Sequence, residues 1–213
     1  QSQINPHFLF NTINTIASLI RTDPETARKL LREFAVFYRR TLEDSADLIV
    51  SAREMEQTKR YFTFEVARFG ADRVEMEMRI DPRVEDMLVP PFLLQPLVEN
   101  AVRHAMPSEG KLTIEVTGEV TGNDVIVRVC DNGVGMTEEA RCNILHPESS
   151  LGLGIAVKNV HDRICGYFGP GTHMEVESEL GKGTVRDPRI EGRGSARVPV
   201  GGRAELRIPA CRR

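Results

Sequence analysis

Residues 93–105 read LLQPLVENAVRHA, and the spacing of their polar members decides how the rest of the chain is read. The stretch falls in a helix expected over 92–105. On it Glu99, Asn100, Arg103 and His104 lie within five positions of one another, so most of them share one face. An amide oxygen is a hard ligand suited to Mg²⁺, and Arg103 and His104 can hold phosphate oxygens. Taken alone, the pattern is equally that of a polar helix face with its own salt links.

Downstream, short elements add to it. Residues 112–120 and 125–129 alternate as half-buried strands do, and Thr121-Gly-Asn-Asp124 between them signals a hairpin. The second strand runs into Asp131-Asn-Gly-Val-Gly135. A carboxylate at a strand end can accept from an exocyclic amine, and Gly133 and Gly135 let backbone pass close to a flat ring. Leu151-Gly-Leu-Gly154 opens a helix expected over 155–167, where glycines let amides face a phosphate with the helix dipole helping. No GK[ST] follows and no parallel βαβ surrounds it, so it is neither a Walker motif nor a dinucleotide fingerprint. Gly181-Lys-Gly-Thr184 adds a turn with a hydroxyl. Strands at 174–178 and 204–208 complete a sheet layer.

Upstream, residues 74–80 alternate and the period then changes. Ser51-Ala-Arg-Glu54 reads as a capping box opening a helix that ends near Gly70. Asp23-Pro24 reads as an N-cap followed by a first-turn proline, with Leu30, Leu31, Phe34, Phe37, Tyr38 and Leu42 recurring behind it. Residues 7–21 repeat the helical spacing through Phe8, Leu9, Ile13, Ile16, Leu19 and Ile20. A short connection predicts antiparallel neighbours, and two such helices bury too little alone, so a second copy completing a four-helix bundle is expected. The fold class is α+β, a helical hairpin followed by a mixed-sheet layer, with the boundary near residue 70. His7 stands out in this hairpin. A ring of a type that titrates near neutrality sits among Ile4, Phe8, Leu9 and Phe10, with Asn11 one turn on.

The 213 residues, 40% hydrophobic and 28% charged, describe a soluble globular chain of one large or two small domains. A net charge of −3 argues against a general nucleic-acid binder. Residues 185–213 hold eight Arg against three acidic residues, leaving −8 elsewhere, as a solvated tail or a contact for an acidic partner. Cys130, Cys142, Cys165 and Cys211 match neither a zinc site nor a CxxC pair and read as structural thiols. No stretch approaches the roughly 18 apolar residues of a membrane span, and no signal peptide is seen. The chain starts without Met in a helix already under way, which reads as a fragment whose membrane or sensor segments, if any, lie upstream.

In this order, ENAxxHA, DNGxG, GxG and GxGT resemble the N, G1 and G2 boxes and closing turn of the GHKL ATPase superfamily. QINPHFLFN, the helix ending in ARFG, and PPFLLQPLVENAVRHA resemble the LytS-like sensor histidine kinases, and the resemblance spans residues 1–184. It implies a GHKL-type α/β sandwich at 71–213 behind dimerising phosphotransfer helices at 1–70. It further implies that His7 accepts the γ-phosphoryl of Mg·ATP by in-line attack and passes it to an aspartate on a response-regulator receiver domain. Carried over to this sequence, Asn100 ligates Mg²⁺ and Glu99 orients a metal-bound water or assists proton transfer. Asp131 binds the adenine amine with Thr184 behind it through water. Gly133, Gly135, Gly152 and Gly154 shape the pocket, and 137–151 form a polar lid. Arg103 and His104 face phosphates. His146, His161 and His173 are expected at the surface. A homodimer located in the cytoplasm follows, without direct nucleic-acid contact.

The chain departs from the family in three places. Phe8 follows His7 where many histidine kinases carry an acid, so the general base is unassigned; Asn11 can orient the ring but cannot take its proton. Ala156 replaces a third G2 glycine. Residues 185–203 intervene before the closing strand and are expected as a poorly ordered Gly/Arg-rich insertion, with 204–209 the displaced strand or, alternatively, 195–200 the strand and the rest hanging free. Two other functions compete. One is a GHKL ATPase or phosphatase-biased relative that never phosphorylates His7, against which PHFLFN weighs. The other is a non-catalytic dimerisation and nucleotide-sensing module, against which the intact Asn100, Asp131 and glycine turns weigh.

Overall fold

The computed structural model describes residues 6–43, 48–121, 124–143, 155–169, 172–180 and 203–209. Helices α1 (Pro6–Thr22) and α2 (Pro24–Glu43) form the expected antiparallel hairpin. Asp23 caps the second of them, its Oδ1 accepting from the Thr26 N–H at 3.1 Å. The short β1 (Ile49–Val50) leads into α3 (Ser51–Phe69), then β2 (Val74–Ile80), α4 (Pro82–Glu85) and β3 (Leu88–Val89). There follow α5 (Gln95–His104), β4 (Leu112–Thr121), β5 (Asp124–Asp131), α6 (Glu138–Asn143), α7 (Ile155–Phe168), β6 (His173–Glu177) and β7 (Arg203–Pro209).

Five strands make one mixed sheet in the order β2-β4-β5-β7-β6. β2 and β4 are parallel, with Val74 opposite Leu112, and the remaining pairs are antiparallel. The strand at the C-terminal end is therefore the 204–209 one, seated between β5 and β6; residues 195–200 lie outside the described residues. Alternation on β4 buries Leu112, Ile114 and Val116 beneath a helical layer in which α5 touches α3 and α7.

α3 is the wall common to both halves. It packs on α1 and α2 on one side and on α5 and β2 on the other, while β1 pairs with β3 just ahead of α5. Its inner side carries Phe64 and Tyr61, which close an aromatic cluster with Phe8 of α1 and Phe37 of α2; Phe8 lies 5.4, 5.0 and 5.8 Å, centroid to centroid, from Phe37, Tyr61 and Phe64.

The capping box expected at Ser51–Glu54 does not form. Val50 is the N-cap residue, with no side-chain cap, and the Ser51 N–H donates to the Met87 carbonyl at 2.7 Å. Glu54 turns inward instead, 2% exposed, and accepts from the backbone N–H groups of Phe92, Leu93, Leu94 and Gln95 at 2.7–3.3 Å. Four orphan donors at the start of α5 outbid the one that a capping box offers. Burial raises the pKa of this carboxyl, and the four amides pull it back. The same contact holds Phe92 at φ 59°, a left-handed conformation that a bulky residue adopts only when its surroundings enforce it.

Candidate active site

α5 buries Leu97, Val98, Ala101 and Val102, which turns Glu99, Asn100, Arg103 and His104 away from the core. Most of the four are expected on one face; they divide into two pairs. Glu99 and Arg103, one turn apart, line a cleft of about 270 Å³ together with His7 and Asn11 of α1 and Glu65 and Arg68 of α3. Asn100 and His104 stand roughly 100° further round the helix and are not part of that lining. His104 is half-buried, and burial, then the neighbouring Arg103, lowers its pKa, which favours the neutral ring.

His7 is exposed, whereas Phe8 next to it is 7% exposed in the aromatic cluster. The apolar company of the histidine is thus packing, and the ring itself points outward. Asn11 holds that ring: its Nδ2 lies 3.0 Å from His7 Nδ1. An amide can present either end to the same position, and with its oxygen inward it fixes the Nδ1–H tautomer and leaves the lone pair on Nε2.

Beyond the end of α5 the DNG turn is wedged in place. Asp131 closes β5 opposite Ile114, and its Oδ1 accepts from the Gly133 N–H at 3.0 Å. Asn132 ties the turn to β4, accepting from the Thr113 N–H at 2.7 Å and donating to the Lys111 carbonyl at 3.1 Å. The Val134 N–H donates to the Ala105 carbonyl at 3.1 Å, which joins the turn to the helix carrying Glu99 and Asn100. A Cβ on Gly133 would stand 2.6 Å from the carbonyl carbon of Ala105. Gly135, at φ 68°, passes as closely to Glu179, and the Met136 N–H donates to Ser178 Oγ at 2.8 Å. Gly133→Ala is expected to cost about 1–3 kcal/mol in urea unfolding and to weaken nucleotide binding, because only backbone can move out of the way. An unchanged midpoint and affinity would refute that reading of the turn.

Gly152, Gly154, Thr184 and His146 lie outside the described residues, as do 144–151 of the expected lid and the side chain of His173. The described start of the lid is helical. Thr137 Oγ1 accepts from the Ala140 N–H at 3.2 Å, and Glu138 pairs with Arg141, so α6 arises from a cap and an ion pair that apolar periodicity does not reveal. His161, expected at the surface, is half-buried, with Nε2 at 3.7 Å from Cys165 Sγ. Cys142 and Cys165 are free thiols.

Sequence reasoning misread Glu54 as a cap and did not single out Glu65 and Arg68 as cleft residues. The signal was available: Ser51, Glu54, Thr58, Tyr61 and Glu65 follow helical spacing and are all buried, so two acids sit on a core-facing stripe.

The family profile described as histidine kinase matches residues 1–74, and the one described as histidine kinase-, DNA gyrase B- and HSP90-like ATPase matches residues 92–187. Among solved structures, the catalytic domain of histidine kinase ThkA aligns with a TM-score of 0.52 at 18% identity, over 76% of this chain and 94% of that one. The histidine kinase domain of the Erythrobacter litoralis blue-light activated kinase aligns with a TM-score of 0.52 at 15% identity, over 97% and 96%. These show the fold. With a histidine-bearing hairpin set against a GHKL layer, the class is that of protein-histidine kinases. Sensor protein LytS of Bacillus cereus is 42% identical over 189 residues, 86% of this chain and 32% of that protein. LytS of Bacillus subtilis is 40% identical over the same shares, and the sensor histidine kinase/phosphatase LytS of Staphylococcus aureus strain Mu50 is 36% identical over 84% and 31%. The chain belongs to this LytS-like family of sensor histidine kinases and spans about a third of the length of the curated relatives it matches. No helix among the described residues is long and apolar enough to cross a membrane.

Proposed function

We propose that this chain phosphorylates its own His7 from Mg·ATP and hands the phosphoryl group to an aspartate of a response regulator. The observation that carries the reading is the cleft, where an exposed, Asn11-held imidazole shares walls with Glu99 and Arg103 of the nucleotide-box helix. Residues 1–70 serve as the phosphotransfer and dimerisation unit and 71–213 as the ATP-binding unit, with α3 of the first packing on α5 and β2 of the second.

Phosphoryl transfer asks little covalent help of a protein. It asks for alignment of nucleophile and phosphorus and for charge to receive the equatorial oxygens. The chain supplies the first through Phe8, which anchors α1, and Asn11, which sets the rotation of the ring. Arg103 supplies the second from within the cleft. Asp131 and the close-packed Gly133–Gly135 turn form a slot for a planar base, with Gly152, Gly154 and Thr184 assigned to the same nucleotide. Among the described residues no group of three or more His, Cys, Asp or Glu stands together to hold a metal ion. A hard ion would instead rest on Asn100 and the nucleotide's own oxygens, with Glu99 orienting its water, and the donor chemistry fits Mg²⁺. Bound there, Mg²⁺ neutralises charge on the phosphates.

Phe10, Ile13 and Ile20 of α1 and Leu31 and Leu42 of α2 are exposed, a surface suited to a second copy of the hairpin in a homodimer. The cytoplasm is the compartment where ATP and a regulator meet this unit. A phosphatase activity towards the regulator is the second reading, supported by the name of the Staphylococcus aureus relative and by the Asn11 amide beside His7.

Incubation of the chain with labelled Mg·ATP tests the proposal. Acid-labile, alkali-stable label on the protein is the expected result; ATP turnover without label, or binding without either, would overturn it. Asn100→Ala is expected to slow labelling by about 10²–10³-fold at saturating Mg·ATP with an unchanged melting curve. Unchanged labelling would contradict the metal assignment.

A further inference from the structure

A ring that acquires a phosphoryl group must lose a proton, and the residue after His7 is Phe8, turned into the aromatic cluster. Asn11 touches the ring but has no group able to keep a proton. The proton has to leave by another wall of the cleft.

That wall is α3. Glu65 lines the cleft with His7 and is 4% exposed. Its surroundings are unusual for a buried acid. The Tyr61 hydroxyl, one turn earlier on α3, favours the carboxylate form. Arg68 Nη1 forms an ion pair with Oε2 at 3.6 Å, and Oε2 has no closer hydrogen-bond partner among the described residues. A buried carboxylate oxygen whose partner is a cation at 3.6 Å, on the wall of a cleft of about 270 Å³, keeps a lone pair able to accept a proton.

We propose that Glu65 takes up the proton that His7 releases on phosphorylation. The inference rests on the autokinase reading above and assigns a base to it. In the step, the lone pair of the attacking ring nitrogen forms the N–P bond, and the bond from phosphorus to the bridging oxygen of ATP breaks. ADP leaves with that electron pair, and the ring N–H proton passes through water in the cleft to Oε2, turning the carboxylate into a carboxylic acid. Phosphorylation in reverse uses the same acid to return the proton.

The charges facing Glu65 are consistent with a base that is poised yet ionisable. Burial raises its pKa, Tyr61 and Arg68 of α3 lower it, and Glu99 of α5 raises it again. Arg103 of α5 and His7 of α1 complete the set of ionisable groups around the opening. Glu99 shares the cleft and is half-buried, while Glu65 is the more deeply buried of the two.

The test uses the full chain with labelled Mg·ATP and measures the rate of His7 phosphorylation from about pH 5 to pH 8 for wild type, Glu65→Gln, Glu65→Asp and Glu99→Gln, with ATP affinity measured in parallel. Two groups must be deprotonated for wild type to react, so the logarithm of its rate should climb with a slope approaching two at the acid end. Glu65→Gln is expected to be about 10²-fold slower, to bind ATP normally, and to show a slope of one. Glu65→Asp should regain the steeper slope, and Glu99→Gln should retain it. A Glu65→Gln rate within about threefold of wild type, or a slower rate with the slope unchanged, would overturn the assignment. Absence of label on wild type at every pH would instead remove the autokinase reading beneath it.

Discussion

In His7→Gln, the alkali-stable label that Mg·ATP leaves on the protein is expected to disappear altogether, while the chain stays folded and binds nucleotide as before. The loss is complete because glutamine carries no lone-pair nitrogen able to attack phosphorus. The fold survives because His7 is exposed and its packing neighbour is Phe8. An exposed substitution moves stability by less than about 0.5 kcal/mol. Phe8→Ala would show the opposite, removing a ring packed on Phe37, Tyr61 and Phe64 at a cost of about 3–5 kcal/mol. Labelling, chemical unfolding and nucleotide titration on the two variants separate acceptor from anchor. Residual label in His7→Gln, at wild-type stoichiometry and with the same acid lability, would place the acceptor elsewhere.

Glu54→Ala is the second large effect. The carboxylate receives the N–H groups of residues 92–95, and alanine would leave them facing a vacated polar cavity at the foot of the nucleotide-box helix. Buried donors without partners cost about 1–3 kcal/mol each when nothing replaces the acceptor, and water entry recovers part of this. A net loss of about 3–5 kcal/mol is expected, a large share of the roughly 5–15 kcal/mol that holds an ordinary domain together. Glu54→Gln should lose less, since one acceptor oxygen remains. Release of Phe92 from φ 59° also shifts the entry of α5, so nucleotide binding should weaken even where the variant still folds. Denaturant midpoints for the two variants check the order, and equal stability of wild type and Glu54→Ala would show that the four contacts do not hold the helix start.

What the sequence made legible depended on whether a signal was local. Helix starts with a proline, strands with period two, and glycine turns are fixed within a few residues. So α1, α2, the β4–β5 hairpin and the DNG turn fell where expected. The displaced closing strand was legible too, because alternation at 204–208 survives the long stretch before it. Glu54 was misread because Ser-x-x-Glu satisfies a local rule, while its actual partners lie 38–41 residues downstream. Likewise the four polar residues of 99–104 looked like one cluster until the burial of Leu97, Val98, Ala101 and Val102 fixed the rotation of the helix and separated Glu99 and Arg103 from Asn100 and His104. Neither the pairing of His7 with α5 nor the exposure of the cleft to Glu65 follows from periodicity. Both need three helices placed at once.

Phe8 gives the helix that carries His7 a mechanical character. Turning α1 about its axis far enough to carry His7 off the cleft must also draw the adjoining ring out from among three others. That withdrawal is uphill by at least about 2 kcal/mol. Rotation of the helix would therefore meet a detent, and below that threshold His7 stays seated at the cleft. The resting angle of that helix is thus set by how well one phenyl ring fits its socket.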